Sequence, residues 1–246
     1  MSHDKTEPNS KIGGHYSQAY DAELQQAIDL LMQMADLTRQ QLSDALTAFS
    51  QADLVLAKQV KDADRKVNNF EVDIDEHCLD ILARRQPAAT DLRLVLSVLK
   101  SINDVERIGD MAKRIAKALL KGAEHGRPDQ VQLDELTAMA DKVQLMLQRA
   151  LTAFKEMDAQ AALAVLREDK AIDDDYARII QHSLNSMMND AQQVAVSLQV
   201  SNVAKALERV GDHSRNICQH AIFLARGRNV AHLTDAELTQ LVEKKT

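Results

Sequence analysis

The helix breakers of this chain fall almost entirely between its apolar-periodic stretches. Gly13 and Gly14 close a polar N-terminal segment that also holds Pro8, and Pro87 divides the first half. Gly122, Gly126 and Pro128 mark the middle, and Gly227 ends the last long stretch. The spacing predicts helices at about 18–49, 53–86, 90–121, 130–155, 159–188 and 192–226. Val95, Leu99, Ile102, Val105, Gly109, Ala112, Ala116 and Leu119 step by three and four, as a bundle-facing stripe does. Val200, Val203, Leu207, Val210, Ser214, Ile217, Ala221 and Leu224 repeat that stripe in the second half. With no Trp and only 3% aromatics, the chain has little strand-forming material. Short connections favour antiparallel neighbours.

The expected fold class is therefore all-α, two tandem three-helix bundles of long antiparallel helices. The first bundle spans 18–122 and the second 129–227. A mobile tail is expected at 1–17, and a C-terminal tail at 228–246 with a short helix from Thr234, which has Glu237 at capping-box spacing. Asp53 and Asp158 are further N-cap candidates, and Asp91 is one for the third helix. No run approaches the ~18 apolar residues of a membrane span, and the first residues lack the apolar stretch of a signal peptide. The net charge of −7 argues against a general nucleic-acid binder. Cys78 and Cys218 each lie in an apolar stripe and read as buried free thiols.

Inside this frame one phrase occurs twice. Asp104-Val105-Glu106-Arg107-Ile108-Gly109-Asp110 returns 102 positions later as Ala206-Leu207-Glu208-Arg209-Val210-Gly211-Asp212. Gly109 and Gly211 are the two glycines placed inside helices, at a cost of about 1 kcal/mol each relative to alanine. The Glu and Asp at i and i+4 repel by about 0.2–0.5 kcal/mol. Acid pairs at that spacing are common by chance, roughly five or six in a chain of this composition. Glu71 with Asp75 is such a pair and reads as solvated surface.

Position separates the repeated pair from the chance ones. Asp64-x-x-x-Asn68 precedes the first copy, and Asp169-x-x-x-Asp173 precedes the second. Asp64 interrupts the stripe Val60, Val67, Ile74, Cys78, Ile81, and Asp169 falls between Leu166 and Ile172. In an antiparallel hairpin, Asp64 faces Asp110 and Asn68 faces Glu106, both centred on Pro87. Likewise Asp169 faces Asp212 and Asp173 faces Glu208, centred beside Asn189 and Asp190. Such oxygen-rich sets suit a hard cation, magnesium, manganese or iron. The other reading is an ion-pair network in which Arg107, Arg209, Arg65 and Lys170 neutralise the acids and glycine permits close helix packing. No Glu-x-x-His pair, P-loop, dinucleotide turn or zinc-type spacing occurs, so no catalytic residue is nominated. His213 has Met111 as its counterpart and does not join the pattern, while His77, His182 and His220 read as satisfied structural or surface groups.

The duplicated Glu-Arg-(Ile/Val)-Gly-Asp, its upstream partners and the run from Arg84 to Arg93 closely resemble the PhoU family of phosphate-transport regulators. The resemblance extends from about Tyr20 to Leu241 and includes Gln41-Leu42-Ser43-Asp44-Ala45. It implies two repeated three-helix bundles, commonly a homodimer, in a cytoplasmic protein that represses the phosphate-starvation response. It further implies an adaptor between the ATPase subunit of a phosphate ABC transporter and a phosphate-sensor histidine kinase, reaching the membrane only through those partners. Metal clusters would be held by Asp64, Glu106 and Asp110 in one bundle and by Asp169, Asp173, Glu208 and Asp212 in the other. Asn68 replaces an acid, which makes the second set the expected stronger binder. Arg93 reads as a possible partner contact. A metal-dependent enzyme or metal-storage bundle is the alternative class.

Overall fold

The computed structural model describes residues 18–244, except the side chain of Asp64; the tail expected at 1–17 lies outside the described residues. Within them the chain is all-α. The helices are α1 (Gln18–Gln51), α2 (Leu54–Arg85), α3 (Ala89–Gly122), α4 (Gln130–Lys155), α5 (Ala159–Leu166), α6 (Asp169–Asn189), α7 (Val194–Arg226) and α8 (Asp235–Glu243). Single 3-10 turns occupy Ala123–His125 and Ala191–Gln193.

The first bundle is α1–α3, and the second is α4, the α5–α6 pair and α7. The two join chiefly along α3 and α7, with α1 also touching α4. Both apolar stripes face inward: every member is buried except Leu99, which packs partly against the core. The α2 stripe Val60, Val67, Ile74, Cys78 and Ile81 is buried too. Burial pushes the Cys78 thiol up to about 12 and the Cys218 thiol higher still, so both stay protonated near neutrality.

Repetition is visible in the backbone. The α1–α2 corner places Ala52 at φ 53°, followed by Asp53, whose carboxylate accepts from the amides of Val55 and Leu56. The α4–α5 corner places Met157 at φ 50°, followed by Asp158, which caps Gln160 and Ala161. In both corners the Asp amide reaches back five residues, to Ala48 O and Ala153 O, at 2.9 Å. The capping box of Thr234 and Glu237 opens α8 as expected.

Two details differ from expectation. The helix expected over 159–188 is broken at Arg167–Glu168. No glycine or proline marks the break; tertiary anchors make it. Arg167 is drawn to Asp235 and Thr239 of α8, while Glu168 takes an ion pair from Arg149 of α4. The corner backbone is held by short-range bonds from Glu168 N to Val165 O and Ala171 N to Glu168 O, each 3.0 Å. Asp91 does not cap α3: the N-cap is Ala88, without a side-chain bond, and Asp91 accepts from the Tyr20 hydroxyl of α1 at 3.1 Å. Arg93 lies against Gly227, the left-handed C-cap of α7 at φ 72°, and donates to Thr90 Oγ1 at 2.8 Å.

Candidate functional site

Each hairpin brings its two motifs onto facing helices, because α2 turns into α3 across Gln86–Ala88 and α6 turns into α7 across Asp190–Gln193. In the second hairpin Asp169 is the first residue of α6, where the helix dipole favours a carboxylate. Glu208 is mostly covered, with its side chain 14% exposed. Its Oε1 accepts from Lys205 Nζ at 2.6 Å. Its Oε2 is buried, has no hydrogen bond among the described residues, and lies 3.9 Å from Arg209 Nε. Asp169 Oδ2 stands 3.6 Å from Arg215 Nε.

The acids of this hairpin feel one another. Burial raises the Asp169 carboxyl above the usual carboxylate range; Arg215 opposes that, and the charges of Asp173, Asp212 and Glu208 add to it. Burial also raises Asp212, helped by Glu208 and Asp173 and opposed by Arg209 and Lys205. All four sequence-nominated acids therefore share one electrostatic neighbourhood, although Asp173 itself is exposed.

In the first hairpin, Gly109 of the α3 motif faces Val67 of α2. Arg107 lies 3.7 Å from Glu106 and 3.8 Å from Asp110, and Lys113 approaches Asp110 at 3.5 Å. Asn68 is exposed on α2, and the Asp64 side chain falls outside the described residues.

Among the described residues no three His, Cys, Asp or Glu side chains stand together as a ready-made metal cage. Part of the ion-pair reading is thus realised, with Arg107, Arg209, Lys113, Lys205 and Arg215 on the acids. The donor set nevertheless fits a hard cation: oxygen ligands only, mutually repelling, with one buried carboxylate oxygen lacking a hydrogen-bond partner.

The two motif glycines do unequal work. A Cβ on Gly211 would meet Ile172 Cδ1 at 3.3 Å and lie 3.8 Å from Asp169 Oδ1. On Gly109 it would meet Gln41 Oε1 and Val67 Cγ1 at an ordinary 3.6 Å. Among the described residues the tightest glycine is Gly122, whose Cβ would fall 1.9 Å from Gln199 Cδ, and whose carbonyl accepts from Gln199 Nε2 at 3.1 Å.

Sequence reasoning missed a polar cluster on the seam between the bundles. Asp104 of α3 is buried, 7% exposed, and accepts from His213 Nδ1 at 2.9 Å, Asn216 Nδ2 at 2.9 Å and His220 Nε2 at 3.0 Å of α7. Burial pushes its carboxyl up, but the donors outweigh burial and hold it below the usual range. A signal existed: Asp104 opens the first copy of the repeated phrase where the second has Ala206. A second buried acid, Asp175, takes Lys142 at 2.6 Å and Arg178 at 2.8 Å. Two further histidines are satisfied, His77 against Glu23 O and His182 against Glu135.

Fold and site together define a tandem-repeat helical bundle bearing one carboxylate motif pair per repeat. A family model described as the PhoU domain matches twice, at residues 31–119 and 136–221. A Pseudomonas putida protein named phosphate-specific transport system accessory protein PhoU homolog is 41% identical over 229 residues, covering 93% of this chain and 89% of its own. The Escherichia coli K12 protein named phosphate-specific transport system accessory protein PhoU is 38% identical over 235 residues, covering 95% and 96%. The crystal structure of PhoU from Pseudomonas aeruginosa superposes with a TM-score of 0.81 at 40% identity, over 85% of this chain and all of that one. A Streptococcus pneumoniae phosphate transport system regulatory protein PhoU gives 0.79 at 28% identity, over 86% and 99%. The chain belongs to the PhoU family.

Proposed function

We propose that this chain is a non-enzymatic regulator of phosphate homeostasis, a cytoplasmic homodimer that represses the phosphate-starvation response when phosphate is plentiful. It acts as an adaptor between the ATPase subunit of a phosphate ABC transporter and the phosphate-sensor histidine kinase. The observation that carries this reading is near full-length similarity, on both repeats, to proteins named as accessories of the phosphate-specific transport system. An adaptor needs surface to offer, and each repeat supplies it. Leu79, Leu92 and Leu96 are exposed in the first hairpin, and Leu184, Val194 and Leu198 at the matching places in the second. On α3 and α7 these side chains share the helix face that carries the Glu and Asp of the motif. Among the described residues no helix is long and apolar enough to cross a membrane, consistent with action through partners.

Metal ions belong to the same reading. Asp64, Asn68, Glu106 and Asp110 would hold one set, and Asp169, Asp173, Glu208 and Asp212 the other. Magnesium, manganese or iron would supply positive charge that relieves the crowding around Asp169 and Asp212 and ties α6 to α7.

Deleting the gene in its host is expected to derepress alkaline phosphatase in high phosphate, with repression restored by the wild-type copy. A deletion strain that still represses normally removes the regulatory reading. For the metal, Glu208→Ala with Asp212→Ala is expected to lower bound metal by one site's worth in protein purified without chelator. Elemental analysis reads this, with circular dichroism confirming the fold; an unchanged metal-to-protein ratio counts against it.

A further inference from the structure

The two carboxylate sets differ in composition at two places, and the differences cancel in charge. Where the first hairpin has Asn68, the second has Asp173, one added negative charge. Three residues before the motif glutamate, α3 has Asn103 and α7 has Lys205, one added positive charge. Arg107 and Lys113 of the first set correspond to Arg209 and Arg215 of the second. Counted by formal charge, each set with its cations keeps one net negative charge.

We propose that Lys205 is a built-in counter-ion of the second carboxylate set, which holds Glu208 when no metal is present and has to leave Glu208 before a hard divalent cation binds there. The second set then binds metal more weakly than its four carboxylates suggest, and the added lysine offsets the added acid. This rests on the reading of the carboxylate motifs as metal sites.

The geometry around Lys205 is that of a seated ammonium. Its Nζ is 2.6 Å from Glu208 Oε1 and 5.1 Å from the centroid of the Tyr176 ring, so α6 supplies one contact and α7 the other. With Glu208 only 14% exposed, the pair is partly withdrawn from water, where Coulomb attraction exceeds that of an exposed pair. The ammonium occupies one oxygen of Glu208, while the other oxygen is buried without a hydrogen bond among the described residues. A metal ion that takes Glu208 competes directly with that ammonium. Lysine suits such a role because its four-carbon stem lets the charge swing off without moving the helix. In the first hairpin the matching Asn103 carries no charge and turns its amide back to Leu99 O at 3.1 Å.

The test uses the full chain with Glu106→Gln and Asp110→Asn, so that only the second set remains. Mn2+ is titrated, and free Mn2+ is followed by its electron paramagnetic resonance signal. Lys205→Asn in this background is expected to lower the Kd on the order of tenfold. Its metal-free Tm is expected to fall and to recover with saturating Mn2+. Adding Asp173→Asn to Lys205→Asn is expected to return the Kd toward that of the parent. Should Lys205→Asn not fold, Lys205→Gln carries the same comparison. A Kd equal in parent and variant overturns the role of Lys205 and leaves the metal reading standing. Absence of Mn2+ uptake in both overturns the metal reading and the counter-ion with it.

Discussion

The two repeats agree at their first corners and differ where side chains meet charge. Both first corners use a left-handed residue followed by an Asp cap, Ala52–Asp53 and Met157–Asp158. Both second corners bring a five-residue acidic or amide motif onto the helix facing Glu-Arg-(Ile/Val)-Gly-Asp. Yet α2 is one helix of 32 residues, while its counterpart is broken into α5 and α6. At that break Arg167 is held by α8, an element that follows the second repeat alone. A duplicated bundle keeps the caps and apolar stripes on which folding depends, because these are local and hard to replace. Polar residues on its seams are free to diverge, provided each buried group keeps a partner.

Asp104 is one such divergence and gives a strong test of it. Its counterpart Ala206 is fully buried, so equivalent places carry a charged hub in one repeat and a small apolar residue in the other. Asp104→Ala leaves His213, Asn216 and His220 without their acceptor and is expected to cost about 3 kcal/mol at pH 7. Denaturant unfolding followed by circular dichroism measures this. The pH dependence has a definite sign. The folded-state carboxyl is held below its usual value, so its contribution is present above the ordinary carboxylate range. That contribution disappears as the pH falls through the depressed value, and the gap between wild type and variant narrows there. A cost below about 1 kcal/mol at pH 7 would mean that the seam is held by apolar packing of α3 on α7 alone.

How far each feature could be read from sequence follows from the range of the force behind it. The long helices and the Asp53, Asp158 and Thr234 caps are set by residues within a few positions of one another, and all were legible. The break at Arg167 was not, because its cause lies 68 residues away at Asp235. Asp104 was hidden for the same reason, since its partners sit 109 to 116 residues further on. Of the candidate site, the nearness of the α6 acids to the α7 acids was legible. Which cation sits on which acid was not, because Lys205, Lys113 and Arg215 are ordinary surface residues by composition. Only the fold aims them at Glu208, Asp110 and Asp169.

The motif glycines give a smaller and sharper comparison. Both cost helix stability in the same way, so an alanine that fits should gain about 1 kcal/mol. At Gly109 the new methyl meets Gln41 and Val67 at van der Waals distance, so Gly109→Ala is expected to raise the Tm by several degrees. At Gly211 the methyl presses on Ile172, a buried β-branched side chain with little freedom to move. Overpacking of that kind costs about 1–3 kcal/mol, so Gly211→Ala is expected to end neutral to about 1 kcal/mol less stable. Thermal unfolding of the two variants, with chelator present, reads the difference directly. Opposite or clearly unequal shifts place the strict need for glycine in the second repeat, where Ile172 brings α6 and Asp169 close to α7. Equal gains in both would mean that Ile172 yields, and that the glycine of the motif is kept in the two repeats for some reason other than helix packing.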